Sequence, residues 1–392
     1  HMVHIYEKRA GLYVHIPFCL KKCHYCDFYS TTDLSQFSRF LAALRKEMQL
    51  SRKIPLVFDT LYVGGGTPSM LTPIAIKQLI EWARRYFRFT ADSEITIEVN
   101  PGTVTRESLG AYRDFGVNRI SIGAQSFDDA NLRFLGRAHR AEDANVCVEW
   151  AREAGFDNLG LDLIFGMPGQ DRSNWLNDLR AAVHFEPEHL ACYMLTCESG
   201  TPLDKDVKSG RIRLAEEAMV LNLFDTAIDY LIHRNFIHYE VSNFARMEGA
   251  DGRPRTSRHN LKYWLFAPYI GLGPSAHSFF ESQRYWNHRC LSTYIGKIEA
   301  GKPAIAQIER LTREQMIIES IYLGLRTTEG IDLGVFNEKF DIDFIAFFGN
   351  AIDQLKMRDM IRIGENHCAL TRKGLLFVDS IAAMFIDRDL VD

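Results

Sequence analysis

Three cysteines define the chemistry open to this sequence. Cys19-x3-Cys23-x2-Cys26 falls within eight residues, just after a strand-like run, while the other five of the eight cysteines are scattered singly. Three thiolates on one loop can each bind a different iron of a cubane iron–sulfur cluster, which leaves the fourth iron without a protein ligand. An open coordination position is where a substrate or cofactor binds a metal directly. Two other readings stay open on spacing alone. A structural zinc site takes four ligands, often as two spaced pairs; here only His15 and His24 lie close by, and there is no second pair. A redox dithiol would use Cys23 and Cys26 and leave Cys19 unexplained.

Further polar groups sit where strands end. Gly64-Gly65-Gly66-Thr67-Pro68 follows the second strand-like run, and glycines let backbone amides approach a ligand closely. Glu98 lies on the third run, Gln125 on the fourth, and Asp162 on the fifth, inside an otherwise apolar stretch. A buried carboxylate is costly unless it is paired or bound to a ligand. The competing reading for each is a capping or barrel-filling hydrogen bond.

The elements that must position these residues alternate regularly. Strand-like runs occur at Gly11–Phe18, Thr60–Gly66, Glu94–Asn100, Arg119–Gln125, Asn158–Gly166 and His189–Thr196. Several are near-continuous apolar segments, as buried parallel strands are. The stretches between them are long enough for helices: Phe37–Leu50 has apolar residues at three-to-four spacing, and Ala141–Ala154 stops at Gly155. Six such alternations predict a parallel β/α barrel or a doubly wound sheet over residues 11–245. Its C-terminal rim is where active sites collect. Residues 246–258 are polar and bear Gly and Pro, so they read as a loop opening a connecting segment, 246–304. Residues 305–392 are expected to form a small helical domain whose Met360–Phe377 reads as strand, turn, strand and helix, in the manner of a winged helix.

Composition narrows the function classes. Lys+Arg 46 against Asp+Glu 50 gives a net charge of -4, with no overall basic signal for nucleic acid. Residues 305–392 carry 10 Lys/Arg and 15 Asp/Glu, so a winged helix there suits a protein partner better than DNA. No apolar run approaches the roughly 18 residues needed to span a bilayer, so no integral membrane protein is expected. Cysteines this sparse do not make a disulfide scaffold; they fit a reducing cytoplasm and a metal site. His1-Met2 reads as a cloning remnant.

Taken together the motifs carry a resemblance. Tyr13-Val14-His15-Ile16-Pro17-Phe18-Cys19, the GGGTP loop, Glu98-Val99-Asn100-Pro101, Ile122-Gly123-Ala124-Gln125-Ser126-Phe127 and Asp162-Leu163-Ile164-Phe165-Gly166-Met167-Pro168-Gly169 stand in order. They resemble the oxygen-independent coproporphyrinogen III oxidase-like branch of radical S-adenosylmethionine (SAM) proteins, over roughly residues 11–380. Within that branch three features look like the haem-chaperone group rather than the oxidase. Phe28 stands where the oxidase has a further cysteine; about ten residues precede the first strand; and His259-Asn260-Leu261-Lys262-Tyr263-Trp264 matches that group's HNxxYW motif.

The resemblance implies a partial (β/α)6, TIM-like barrel with a smaller C-terminal α+β domain of winged-helix type. It implies a [4Fe-4S] cluster on Cys19, Cys23 and Cys26, with SAM on its open iron. Tyr13, Tyr25, Gly65 and Glu98 match positions that contact that SAM. Gly66, Thr67, Gln125, Arg137 and Asp162 match positions that hold a second SAM in the oxidase, and would otherwise line a haem or substrate pocket. Haem b is the implied cargo, passed to haem-accepting proteins, membrane-associated respiratory enzymes among them, with an electron donor for the cluster. A neutral imidazole is a good haem ligand, which makes His259 the candidate axial residue, with His277, Cys192 and Cys197 as rivals. The alternative expectation is a radical SAM enzyme acting on a tetrapyrrole or other substrate, by methyl transfer, cyclopropanation or haem degradation; coproporphyrinogen III oxidation ranks third.

Overall fold

The computed structural model describes residues 9–247 and 252–386. Six parallel strands carry the fold: β1 (Ala10–Ile16), β2 (Val57–Gly65), β3 (Arg88–Val99), β4 (Arg119–Gln125), β5 (Leu159–Phe165) and β6 (His189–Met194). They pair in sequence order, with registers such as Tyr13↔Tyr62, Ile97↔Ile120 and Asp162↔Ala191. The crossovers are helical: α1 (Phe37–Ser51), α2 (Pro73–Tyr86), α3 (Arg106–Asp114), α4 (Asp129–Leu135), α5 (Ala141–Glu153) and α6 (Arg172–His184). Local sequence fixes their ends. Thr72 accepts from the Ala75 N–H ahead of Pro73, Asp171 accepts from Asn174 N–H, and α4 stops at Gly136 with φ 73°.

Apart from the first half of β3 and the end of β6 the strands are buried on both faces, but the two faces differ. Leu12, Val14 and Ile16 join the apolar layer shared with Phe40, Leu44 and Leu79 of the surrounding helices. The inner face is polar: Tyr13 and His15 alternate with those residues, and Thr60, Tyr62, Thr96, Arg119, Ser121 and His189 continue the lining.

The sheet does not end with these six strands. β7 (Phe236–Glu240) and β8 (Asn243–Arg246) extend it antiparallel beyond β6, after helices α7 (Pro202–Lys208) and α8 (Glu217–Ile232). At the other edge β9 (Tyr269–Leu272) runs parallel to β1, followed by β10 (His277–Phe280), β11 (Gln283–Asn287) and β12 (Ile305–Arg310). The order is β12-β11-β10-β9-β1-β2-β3-β4-β5-β6-β8-β7. The segment 246–304 therefore supplies three strands of the main sheet as well as a connection. Ile305–Arg310, grouped by sequence with the C-terminal domain, is the sheet's edge strand, held by Arg284–Glu309 pairing across β11 and β12. Of the expected loop 246–258, residues 248–251 lie outside the described residues.

The C-terminal domain places α11 (Arg313–Gly324; α10 is Leu291–Glu299) before β13 (Ile331–Asp332), then three short helices, α12 (Leu333–Phe340), α13 (Phe344–Phe347) and α14 (Gly349–Met357). The hairpin β14 (Ile361–Ile363) and β15 (His367–Leu370) completes a three-stranded sheet ordered β13-β15-β14. That is the winged-helix arrangement. Among the described residues no helix is long and apolar enough to cross a membrane.

One short helix closes the barrel at the N-terminal end of its strands. α9 (Arg258–Trp264) carries the HNxxYW residues and starts at Ser257, whose side chain accepts from Asn260 N–H. Lys262 is fully buried with its Nζ 2.6 Å from Asp59 Oδ1 and donating to the Arg9 carbonyl at 3.0 Å. Arg258 pairs with Asp59 at 3.2 Å, and Glu94 accepts from the backbone N–H groups of Arg258 and His259. The Gly11 backbone passes so close that a Cβ there would lie 2.9 Å from the His259 ring.

Removing one member of a buried ion pair leaves an uncompensated charge. Lys262→Ala is expected to lower stability by about 3–5 kcal/mol. Lys77→Ala, which breaks the exposed Lys77–Glu81 pair, should cost no more than about 0.5 kcal/mol. Equal thermal midpoints for the two variants would contradict the role given to α9.

Candidate cofactor site

The C-terminal ends of β1 to β6 surround a cavity of about 580 Å³. Cys19, Cys23 and Cys26 stand at its mouth on the loop that leaves β1. That loop has little regular structure and is held by neighbours. Thr67 N–H donates to the Phe18 carbonyl at 2.8 Å, Cys19 N–H to Thr31, and His24 N–H to the last residue of α4, Leu135. The second strand's glycines make this approach possible. A Cβ on Gly66 would lie 2.8 Å from the Phe18 carbonyl oxygen and 3.0 Å from Cys19 Sγ; one on Gly65 would lie 2.6 Å from the His15 ring.

A hydrogen-bond chain links two of the sulfurs. Arg137 Nη1 reaches Cys23 Sγ at 3.6 Å, and its Nη2 donates to Asn100 Oδ1 at 2.6 Å and to the Gly123 carbonyl at 2.9 Å. Asn100 Nδ2 donates to Thr67 Oγ1 at 2.8 Å, and Thr67 donates in turn to Cys19 Sγ at 3.5 Å. Burial pushes the Cys26 thiol up to about 11, so a metal binding here displaces its proton. Among the described residues no three His, Cys, Asp or Glu side chains converge closely enough to hold a single metal ion. Three thiols on one loop without a fourth protein ligand beside them are the donor set of a cubane that leaves one iron open, whereas a structural zinc takes four protein ligands.

The inner wall carries two carboxylates. Glu98 accepts from the Tyr62 hydroxyl at 2.7 Å and from Gly65 N–H at 3.1 Å. Burial, reinforced by the nearby Asp162, raises it to about 7. Asp162 accepts from Ser121 Oγ at 3.1 Å, and burial raises it to about 6. Gln125 is held at φ 65°, a left-handed conformation costly for a side-chain-bearing residue and common at binding sites.

Eight of the nine expected cofactor residues line this cavity: Tyr25, Gly65, Gly66, Thr67, Glu98, Gln125, Arg137 and Asp162. Tyr13 is set back. Its hydroxyl lies 3.0 Å from His15 Nδ1, and His15 Nε2, facing the Tyr29 carbonyl at 2.8 Å, carries the ring proton, so the Tyr13 hydroxyl donates to Nδ1. Sequence reasoning missed Tyr62, Asn100, Arg119, Ser121, Tyr193 and Asn260, which also face the cavity. For Tyr62, Arg119, Ser121 and Tyr193 the signal is a polar residue alternating along an apolar strand, while Asn100 and Asn260 stood in motifs without a part assigned to them.

His259 is elsewhere. It lies beneath the cavity, 1% exposed, stacked on Tyr62 at 5.0 Å between ring centroids. Its Nδ1 is 2.7 Å from Thr60 Oγ1 and its Nε2 is 2.9 Å from the Tyr263 hydroxyl. Burial lowers its pKa to about 3, so the ring is neutral. In this arrangement neither nitrogen is left for an iron, contrary to the expected haem ligation. Of its rivals, Cys192 is buried, and His277 stacks on Trp286 in the β10–β11 hairpin.

Residues 13–182 match the Radical SAM superfamily and residues 311–377 the HemN C-terminal domain. The chain is 33% identical to the haem chaperone HemW of Bacillus subtilis (strain 168), over 95% of this chain and 98% of that protein. It is 30% identical to the haem chaperone HemW of Lactococcus lactis, over 98% and 99%. Among solved structures it resembles coproporphyrinogen III oxidase (HemN) from Escherichia coli, described as a radical SAM enzyme, with a TM-score of 0.82 and 24% identity over 97% of this chain and 90% of that one. This last likeness is one of fold.

The raised carboxyl of Glu98 has a consequence for stability. Its folded value, about 7, lies above the ordinary 4.5. As pH rises between these values the unfolded chain releases a proton that the folded chain keeps, so the fold loses stability. Glu98→Gln removes that loss. The variant's stability relative to wild type is expected to grow from pH 4.5 to 7 and level off above, by on the order of 3 kcal/mol. Thermal midpoints across that range measure it; a difference independent of pH would contradict the desolvation of Glu98.

Proposed function

The chain belongs to the haem chaperone HemW family of the radical SAM superfamily, and from that membership we propose that it is itself a haem chaperone. In this reading it binds haem b and passes it to haem-accepting proteins, membrane-associated respiratory enzymes among them, in the cytoplasm. The observation that carries the reading is the end-to-end similarity to haem chaperones, 33% identity over 95% of the chain.

Cys19, Cys23 and Cys26 would hold a [4Fe-4S] cluster, and Tyr25, Gly65 and Glu98 the SAM on its open iron, while Tyr13, expected to join them, stands behind the cavity wall. Such a cluster, once reduced by an electron donor, would be able to supply an electron for cleavage of a C–S bond of SAM. The chain's own groups bind and orient. The Gly65 and Gly66 backbone admits the ligand, and Arg137 and Thr67 donate to Cys23 and Cys19. Glu98 and Asp162 answer the positive charge of a sulfonium and an ammonium group. Gly66, Thr67, Gln125, Arg137 and Asp162 would hold a second SAM or line the pocket of a larger ligand.

A radical SAM enzyme acting on a tetrapyrrole is the second reading, favoured by the eight cofactor residues gathered around one cavity. One assay separates the two. The reconstituted chain is given haem, SAM and reductant anaerobically, then mixed with a haem-depleted acceptor. Haem retained by the chain and then recovered in the acceptor unaltered, with no substrate-dependent 5'-deoxyadenosine, is the expected result. An altered tetrapyrrole formed together with 5'-deoxyadenosine would overturn it.

A further inference from the structure

The cavity that opens at the cysteines runs deep into the barrel. Along β4 its lining alternates Arg119, Ser121, Gly123 and Gln125, from the strand's first residue to its last. At about 3.3 Å per residue this is roughly 20 Å of strand. The helix that carries HNxxYW closes the cavity from below. Asn260 faces this upper cavity, while Leu261 and Trp264 of the same helix line a separate, lower cleft of about 980 Å³. The cysteines stand at one end of the upper cavity and Arg119 at the other.

The floor therefore holds a buried cation. Arg119 is 1% exposed, with its Nε sealed and the outer end of its guanidinium bordering the cavity. Among the described residues its side chain forms no hydrogen bond and no ion pair. It occupies space that Gly160 leaves: a Cβ on that glycine would lie 3.3 Å from Arg119 Nη2 and 3.3 Å from His189 Nδ1. His189 supplies no counter-charge. Burial, with Arg119 beside it, pushes the imidazole well below 6.5, and its Nε2 lies 2.7 Å from the Tyr239 hydroxyl. The other charged groups of the inner wall are engaged. Arg137 is held by Cys23, Asn100 and the Gly123 carbonyl, Glu98 by Tyr62 and Gly65, and Asp162 by Ser121. Both acids stay raised, to about 7 and about 6, in the presence of Arg119, so it is not their counter-ion. A buried charge without a partner is costly, and an apolar side chain of similar size is often better tolerated. A guanidinium is a fixed fork that matches a planar anion through two parallel hydrogen bonds.

We propose that the floor of the upper cavity is a carboxylate subsite, in which Arg119 grips the carboxylate of the ligand that fills the cavity beneath the cysteines. Asn260, whose amide makes no side-chain hydrogen bond among the described residues, is placed to donate beside it. The carboxylate is a propionate of haem or the amino-acid carboxylate of a SAM molecule. The subsite rests on the haem-and-SAM reading above. It gives the HNxxYW helix a definite part: its histidine packs the floor, and its asparagine faces the ligand.

The test is a double-mutant cycle on the full, cluster-reconstituted chain. Dissociation constants of wild type and Arg119→Met are measured for haem and haem dimethyl ester, and for SAM and decarboxylated SAM. In one of the two arms, the variant and the loss of the carboxylate should each weaken binding about tenfold or more, and together no more than either alone. Such coupling in the haem arm assigns a propionate; in the SAM arm it assigns the amino-acid carboxylate, because a carboxylate bound only to iron gives losses that add. Additive losses, or no loss on substitution, in both arms would overturn the subsite. Without ligand, Arg119→Met should melt at the wild-type midpoint or above it. A lower midpoint with all four affinities unchanged would make Arg119 structural and overturn the subsite as well. If Arg119→Met does not fold, Arg119→Lys, which keeps the charge and loses the fork, carries the same cycle. A wild-type chain that takes up no haem would overturn the chaperone reading and leave the SAM arm to decide the subsite.

Discussion

The Asp59–Lys262 ion pair holds the floor of the molecule in place. Two opposite charges taken out of water stabilise a fold only when their geometry is good and their remaining hydrogen-bonding capacity is met. Here Lys262 also donates to the Arg9 carbonyl, and Arg258 shares the Asp59 carboxylate. With α9 pinned, His259 is pressed onto Tyr62, and Tyr62 donates to Glu98. Glu98 in turn accepts from Gly65 N–H, next to the glycine that makes room for Cys19. A single strand, β2, thus connects the floor to the cysteine loop through Asp59, Thr60, Tyr62 and Gly65. The same helix makes one compartment into two.

The electrostatics of the upper compartment follow from burial. Glu98 and Asp162 sit against an arginine-bearing wall, yet both are pushed above the ordinary carboxyl range, because desolvation outweighs the partial compensation by Arg119 and Arg137. A cationic ligand entering this cavity restores the charged form of both. Arg137 serves the opposite sign: it lies against Cys23 and the chain of amide and hydroxyl groups that leads to Cys19. Acid on the inner wall and base at the cysteine loop are what a site needs when it takes a positive ligand beside a thiolate-bound metal.

Much of this was legible in the sequence, and the reasons differ from element to element. Several of the six parallel strands announce themselves as mostly apolar runs, broken by the polar residues of the inner face. Arg119–Gln125 is found with both ends right, and Phe37–Leu50 is one residue short, because apolar spacing defines helix and strand well where the core is large. The cysteine loop is legible because its spacing is itself the chemistry. What stayed hidden depends on tertiary partners. β3 begins at Arg88 rather than Glu94 because Val57 and Phe58 pair with its first turn-proximal residues. β9 to β12 are short, aromatic and antiparallel, and only pairing onto β1 makes a sheet of them. His259 read as a ligand because an imidazole beside aromatics looks available in one dimension; in three, Thr60 and Tyr263 take both its nitrogens.

Everything proposed for the upper cavity depends on Cys19, Cys23 and Cys26 binding a cluster with one iron open to SAM. Electron paramagnetic resonance of the anaerobically reconstituted, reduced chain, recorded with and without SAM, tests it most directly. A [4Fe-4S]⁺ signal whose g-values change on adding SAM is expected. A signal indifferent to SAM, or zinc in place of iron in a chain that gives no such signal after reconstitution, would contradict the claim.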